Sequence, residues 1–154
     1  MKILLVACNA KYIHSNLAVY DLQAYASEYT DYIVLKEYTI NQQKDDIMRD
    51  IYLEHPDVVC VSCYIWNLSF VKELMADLIK ILPGVDFWAG GPEVSYDSEE
   101  SMEKYQFVDY ILRDEGEMVM RDLVKHFRGE MSIEDVDGIT YRQDGKIIRN
   151  KTRE

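Results

Sequence analysis

Small and hydroxyl-bearing residues stand where two apolar runs of the sequence end. Ser62 closes one run, and Gly90 and Gly91 close the next. Two positions without side chains let a ligand or another backbone approach a sheet closely, and a serine hydroxyl can donate a hydrogen bond to a ligand heteroatom. The pattern is compatible with a small-molecule site. The alternatives are a simple turn before Pro92 and a serine bonded to nearby backbone.

These positions can act together only if a sheet brings them to one edge, and the sequence predicts such a sheet. Apolar runs that predict strands alternate with segments that predict helices. Residues 57–62, like 2–8, are apolar on both faces, which is typical of central strands in a parallel sheet. Apolar residues at helical spacing over 68–82 predict the clearest helix, which ends before Pro83. The five predicted strands are 2–8, 32–35, 57–62, 86–89 and 108–112.

Five strand-helix units in series predict an α/β fold, because parallel strands need crossovers and right-handed crossovers place helices on both faces. We expect a flavodoxin-like (Rossmann-type), doubly wound sheet of five parallel strands in the order 2-1-3-4-5. Asp144 and Gly145 suit the tight turn of a C-terminal β-hairpin over 139–149. This hairpin either extends the sheet edge or leads into another unit. The expected division is an α/β domain at 1–135, then the hairpin and the start of a linker at 136–154.

In a sheet of this order, a ligand binds beyond the carboxyl ends of the strands where the strand order reverses, here between strands one and three. Candidate cofactor-binding residues therefore follow strands one, three, four and five. Tyr64 and Trp66 could offer flat apolar faces to a ring system, or could cover helix ends. The candidates are Asn9, His14, Ser15, Ser62, Cys63, Tyr64, Trp66, Gly90, Gly91, Pro92, Glu93, Glu115 and Gly116.

Three of the motifs have a second interpretation. His14 is either a metal ligand or a loop residue beside Ser15, which is available as a helix N-cap. Glu115 belongs to an acidic cluster at a helix start, where it either stabilises the helix terminus or contacts a ligand at the crevice rim. Cys60 and Cys63 form a CxxC motif, but residues three apart on a strand point to opposite faces, so we expect no metal site there.

Several common sites are excluded by their missing residues. No GxGxxG follows the first strand, as a dinucleotide fold would require, and no GxxxxGK[ST] loop is present. A phospho-receiver of the same topology would need an Asp at the end of strand three, where this chain has Ser62. Dinucleotide, nucleotide-triphosphate and phospho-receiver functions are therefore not expected.

Composition and charge limit the partners and the location expected for the protein. The 154 residues carry 17 Lys and Arg against 28 Asp and Glu, a net charge of -11, which argues against nucleic acid as a partner. No apolar run approaches the roughly 20 residues of a membrane span. We expect a cytoplasmic protein with no membrane partner, whose three cysteines are reduced.

The ends of predicted strands one, three, four and five carry the segments KILLVACNAKYIHSNLAVYDLQAYA, VCVSCYIWN, FWAGGPEVS and ILRDEGE. In this order, the four segments resemble the N-terminal cobalamin-binding-type domain of B12-dependent radical SAM proteins. This class is often named Fe-S oxidoreductase or anaerobic magnesium-protoporphyrin IX monomethyl ester oxidative cyclase. The resemblance runs from Met1 to about Arg153.

The resemblance implies that the nucleotide tail of cobalamin enters between sheet and helices, while the corrin ring lies on the carboxyl edge of the strands. Ser62 matches the serine of the family's SxL-type element, with Tyr64 in place of its third residue. Gly90 and Gly91 match the double glycine that lets the tail pass. Residues 64–66 would then lie near the corrin.

Two family motifs are incomplete or missing. Domains that supply a lower axial histidine carry DxHxxG, and this chain keeps only its histidine, so His14 stays a cofactor-binding candidate but is not an expected cobalt ligand. The CxxxCxxC loop that holds the [4Fe-4S] cluster of radical SAM enzymes is missing too. The resemblance therefore implies a following radical SAM domain that holds this cluster and S-adenosylmethionine. We expect these residues to end at the linker to it and to catalyse nothing alone.

Three functions remain open at this point. The first is a cobalamin-binding module that serves methyl transfer or oxidative rearrangement of an unknown small-molecule substrate by a radical SAM oxidoreductase or methyltransferase. The second is a docking and substrate-shaping domain of the same enzyme that binds no cobalamin. The third is a freestanding flavodoxin-like binder of a flavin or small metabolite. The lack of a hydroxyl-rich phosphate loop after strand one argues against the third.

Overall fold

The structure is a computed structural model that describes residues 1–10, 33–114 and 116–154. The helix that the sequence predicts after the first strand lies outside the described residues. The strands are β1 (Ile3–Asn9), β2 (Ile33–Thr39), β3 (Val58–Ser62), β4 (Asp86–Gly90), β5 (Tyr110–Leu112), β6 (Ile139–Gln143) and β7 (Lys146–Arg149). The described helices are α1 (Lys44–Leu53), α2 (Leu68–Ile81), α3 (Pro92–Ser95), α4 (Ser98–Lys104) and α5 (Gly116–Phe127), with a 3₁₀ turn at Ile133–Asp135.

All seven described strands form one sheet in the order β2-β1-β3-β4-β5-β6-β7. The first five strands are parallel, so the expected order 2-1-3-4-5 is confirmed. The sheet is larger than the predicted five strands, because β6 pairs antiparallel to β5 and β7 to β6. Asp144 and Gly145 have φ of 51° and 77° in the hairpin turn, the conformation that Gly and Asp accept most readily.

Burial on both faces of β1 produces two cores. Every residue from Ile3 to Cys8 is at most 1% exposed. Successive side chains of a strand point to opposite faces, so Leu4 and Val6 pack into the core that contains residues of α1 and α2, whereas Ile3 and Leu5 pack into the core that contains residues of α5. A sheet covered on both faces explains why the first and third strands read as continuous apolar runs.

Helix α2 forms where the sequence predicts the clearest helix. Its four buried apolar side chains recur at helical spacing, and each stabilises the fold by about 1.5–3 kcal/mol when fully buried. The helix ends at Ile81, and Gly84 follows with φ of 82°. The four buried residues of α2 are Val71, Leu74, Met75 and Leu78.

The neighbouring strands β1 and β3 separate before their carboxyl ends. Strands β1 and β3 pair only as far as Val6 and Val61. Beyond that point β1 stays paired with β2, up to Asn9, and β3 stays paired with β4, up to Ser62. The carboxyl edge therefore divides between β1 and β3, which is where the strand order reverses and where open α/β sheets place their ligands.

None of the helices among the described residues has the length and apolar character needed to cross a membrane.

Candidate functional site

A cavity of about 360 Å³ lies at the carboxyl ends of β3, β4 and β5, bordered by α3 and by the start of α5. Among the described residues, none from β1 lines it, so the cavity lies to one side of the division between β1 and β3. Its lining consists of Cys60, Val61, Ser62, Tyr64, Gly90, Gly91, Pro92, Ser95, Leu112, Asp114, Gly116 and Glu117.

The register of β3 and β4 explains why a cavity forms at this height of the sheet. Trp88 is fully buried in the core on the α5 side. Gly90 lies two residues later and so faces the same side, but it has no side chain. Its partner on β3 is Ser62, whose side chain is small. On the α5 side of the sheet, the Trp88 side chain therefore fills the space beside β4, and the space beside Gly90, two residues further along the strand, stays open.

The two glycines differ in what surrounds them. A Cβ atom built on Gly90 would have as its nearest heavy atoms the Leu112 carbonyl oxygen at 3.6 Å and the Leu112 Cβ at 3.9 Å, which are ordinary contacts. A Cβ atom built on Gly91 would lie 2.4 Å from the Cys63 carbonyl oxygen, and Gly91 has φ of 94°. Gly90 therefore leaves cavity space, whereas Gly91 is required because the Cys63 backbone packs against it.

Ser62 supplies a hydroxyl inside the cavity. Its residue exposure is 8%, and its side chain has no hydrogen-bond partner among the residues that the structure describes. A ligand atom at this position can accept a hydrogen bond from the hydroxyl or donate one to it.

Asn67 is a site residue that the sequence analysis missed. Its Nδ2 donates to the Cys8 carbonyl at 3.1 Å and to the Ser62 carbonyl at 3.0 Å, and its Oδ1 accepts from the Tyr64 backbone N–H at 2.8 Å. Asn67 is 1% exposed and does not line the cavity. An Asn before a helix usually indicates an N-cap, and only the folded chain brings the Cys8 carbonyl within its reach.

Ser95 is a second residue that the sequence analysis missed. It lines the cavity, and its Oγ donates to the Gly91 carbonyl at 2.7 Å and contacts the Leu112 carbonyl at 3.2 Å. These contacts join α3 to the ends of β4 and β5. Ser95 therefore holds the part of the cavity wall that α3 forms.

The rim after β5 is acidic. Asp114 lines the cavity with a backbone φ of 56°, and Glu117 lines it from the first turn of α5. The Asp114 Oδ2 accepts the Arg153 backbone N–H at 3.3 Å. Behind this rim the Arg113 guanidinium is 2% exposed and donates to the Ile139 carbonyl at 3.2 Å. Burial lowers the pKa of Arg113.

An aromatic pair lies beside the cavity mouth. The rings of Tyr64 and Trp66 stack with centroids 4.4 Å apart and planes 9° apart. Tyr64 lines the cavity, whereas Trp66 is 51% exposed and Ile65 is 81% exposed. Exposed apolar groups gathered at one edge are typical of a binding surface.

The remaining predicted residues fall into three groups. Pro92 and Gly116 line the cavity. Three do not: the Asn9 Nδ2 donates to Glu37 Oε1 at 3.4 Å, Glu93 is exposed, and Cys63 is fully buried in the core of α1 and α2. The candidates His14, Ser15 and Glu115 lie outside the described residues.

Cys60 and Cys63 of the CxxC motif lie on opposite faces of the sheet, as the strand argument predicts. Cys60 packs in the core on the α5 side, whereas Cys63 and Cys8 pack in the other core. Burial raises the pKa of each of the three thiols to about 12, so they stay protonated and unreactive. Within the described part of the chain, no group of three His, Cys, Asp or Glu could hold a metal ion.

Comparison with known protein families and relatives shows which family this chain belongs to. A family model described as a B12 binding domain matches residues 3–124. The cobalamin-dependent radical SAM methyltransferase TokK of Streptomyces tokunonensis is 39% identical over 69 residues, which cover 45% of this chain and 10% of TokK. The anaerobic magnesium-protoporphyrin IX monomethyl ester cyclase of Rubrivivax gelatinosus is 28% identical over 134 residues, 80% of this chain and 23% of the cyclase.

Solved structures share the fold. OxsB, a cobalamin-dependent S-adenosylmethionine radical enzyme solved with aqua-cobalamin and S-adenosylmethionine bound, superposes with a TM-score of 0.78 at 22% identity, covering 99% of this chain and 22% of OxsB. The radical S-adenosylmethionine methyltransferase TsrM of Kitasatospora setae, solved with cobalamin and a [4Fe-4S] cluster, superposes at 0.75 with 17% identity, covering 100% of this chain and 30% of TsrM. This chain spans between a tenth and a quarter of its curated relatives. It belongs to the B12-binding domain family.

Proposed function

We propose that this chain binds cobalamin, with the nucleotide tail in the cavity at the carboxyl ends of β3, β4 and β5. The supporting observation is the open position at Gly90 beside Ser62, whose small side chain also lines the cavity. A Cβ at Gly90 would enter the space that the tail needs, and Ser62 can bond a heteroatom of the tail. These are the features that the group requires from the protein.

The dimensions fit a ligand that is only partly enclosed. The cavity of about 360 Å³ lies at the small end of the range for ligand pockets, roughly 300–1,000 Å³. A corrin ring is too large to enter it, but the apolar edge formed by the Tyr64–Trp66 stack and Ile65 lies beside the mouth. In this arrangement the tail is buried and the corrin lies on the edge. The proposal requires no cobalt ligand from the described residues.

For the whole protein we propose a radical SAM enzyme in which this module precedes the catalytic domain. The sequence lacks a CxxxCxxC loop, so a following domain would hold the [4Fe-4S] cluster and S-adenosylmethionine. TokK is named a methyltransferase, which agrees with the methyl transfer proposed here, and the Rubrivivax protein is named a cyclase. In this proposal residues 136–154 lead from the module toward that domain.

The test is a titration with hydroxocobalamin followed by visible absorbance. Cobinamide, which has the corrin but no nucleotide tail, is the matched ligand. We expect Gly90→Leu to weaken cobalamin binding by about tenfold or more, a loss of about 1.4 kcal/mol, because the leucine side chain fills the tail cavity. Cobinamide binding should stay within about twofold of wild type.

Two results would count against the proposal in different ways. Equal weakening of cobalamin and cobinamide would mean that the tail does not occupy this cavity. No binding of cobalamin by the wild-type chain, or by the whole protein that contains it, would favour a docking and substrate-shaping domain instead.

A further inference from the structure

The division between β1 and β3 is bridged by one side chain. The ladder between these strands stops at Val6 and Val61, and the carboxamide of Asn67 lies just past that point. Its two N–H groups donate to Cys8 at the end of β1 and to Ser62 at the end of β3. The amide thus supplies the donors that a continued ladder would have supplied, and it fixes the distance between the two strand ends.

The Asn67 side chain does not cap the helix that begins after it. Asn67 is the N-cap residue of α2, and its side chain makes no capping hydrogen bond. Ordinarily this position stabilises a helix by about 1 kcal/mol through such a bond. Here both N–H groups and the oxygen are directed to the strand ends and to Tyr64. The contacts of Asn67 are therefore those of the sheet edge and not those of the helix.

The contacts fix the backbone of the segment that reaches the cavity. Asn67 holds the carbonyl of Ser62 and the N–H of Tyr64, which lie on either side of Cys63. Ser62 and Tyr64 both line the cavity, whereas Asn67 does not. Movement of this segment would displace the Ser62 hydroxyl and the Tyr64 ring together.

We infer that Asn67 is a positioning residue for corrinoid binding: its carboxamide holds Ser62 and Tyr64 in the geometry that accepts the nucleotide tail. This inference rests on the proposed function. It predicts that loss of the amide donors harms recognition of the tail more than recognition of the corrin.

The sharpest substitution is Asn67→Asp. It keeps the shape of the side chain, but a carboxylate cannot donate hydrogen bonds and places negative charge against two carbonyl oxygens. The chain offers a matched control in Asn150, whose Nδ2 donates to the carbonyls of Ile133 at 2.8 Å and Val136 at 2.9 Å. Asn150→Asp removes the same kind of contact at a residue that does not line the cavity.

The experiment measures the Kd values of cobalamin and cobinamide for wild type, N67D and N150D. We expect N67D to weaken cobalamin by about tenfold and cobinamide by less than about twofold, and N150D to change neither by more than about twofold. A general loss of stability would reduce binding of the two ligands equally, so their ratio separates positioning from destabilisation. If N67D does not fold, Asn67→Ser and Asn150→Ser are compared in the same way.

The outcomes are distinct. An N67D protein with the same cobalamin-to-cobinamide ratio as N150D overturns the inference about Asn67. A wild-type chain that binds no cobalamin overturns the proposed function, whatever the variants do.

Discussion

Alanine in place of Gly91 should destabilise the protein strongly, whereas alanine in place of Gly90 should change its stability little. At Gly91, an L-residue with φ of 94° occupies a backbone region that costs about 1–3 kcal/mol. The new Cβ would also lie 2.4 Å from the Cys63 carbonyl oxygen, so the end of β3 must shift, and overpacking of this kind costs about 1–3 kcal/mol more. We expect Gly91→Ala to lower the free energy of unfolding by about 2–6 kcal/mol, from a total of about 5–15 kcal/mol for a typical domain.

Gly90→Ala is the matched control. Its φ is not positive, and the new Cβ would have its nearest neighbour at 3.6 Å. Alanine in a strand also loses less conformational entropy on folding than glycine, by about 0.5–1 kcal/mol. We therefore expect Gly90→Ala to leave the free energy of unfolding within about 1 kcal/mol of wild type.

Urea unfolding, followed by tryptophan fluorescence, to which the buried Trp88 contributes, measures both values. The slope with urea should match wild type in Gly90→Ala, which permits a direct comparison of midpoints. The reasoning is refuted if Gly91→Ala unfolds within about 1 kcal/mol of wild type, or if Gly90→Ala is the less stable of the two.

Three further outcomes follow from buried charges and thiols. Burial, and then repulsion by Asp109, raise the pKa of Asp86. Its contribution to the free energy of unfolding is therefore fully present below the unfolded pKa near 3.8 and is lost as pH rises through the folded pKa. Asp86→Asn should stabilise the protein at pH 7 but not at pH 3, and an equal effect in urea unfolding at both pH values would contradict this. Because burial raises the pKa of the three thiols, a thiol reagent at pH 8 should label the native chain far more slowly than the unfolded chain, and native labelling at the unfolded rate would show that they are accessible. Arg153 pairs with the buried Asp122 at 2.7 Å, so Arg153→Met should lower the free energy of unfolding by about 2 kcal/mol in thermal or urea unfolding. The control Arg49→Met, at an exposed ion pair, should lower it by less than about 0.5 kcal/mol. Equal losses would mean that burial is not the cause.

Much of the candidate site could be predicted because its residues stand where predicted strands end. Ser62 and Gly90 follow apolar runs, and in a parallel sheet all such ends meet at one edge. Ser95 and Asn67 could not be found in this way. Ser95 lies on a four-residue helix with too short a pattern to recognise, and Asn67 has the sequence context of an ordinary helix cap.

The sequence by itself determined that the first five strands are parallel and where α2 lies, because these depend on local periodicity. Continuous apolar runs such as 2–8 require cover on both faces, and the crossovers between them then have one allowed hand. The turn at Asp144 and Gly145 is equally local, since it depends on which residues accept positive φ.

Only the tertiary structure decided what lies against each of these residues. Gly90 and Gly91 are the same residue type in neighbouring positions, yet Gly90 leaves an opening and Gly91 lies against the Cys63 backbone. The extension of the sheet to seven strands, like the reach of Asn67 to the end of β1, depends on which edge a distant segment finds. The register between strands sets these contacts, and it is fixed by the packing of the whole chain and not by neighbours in sequence.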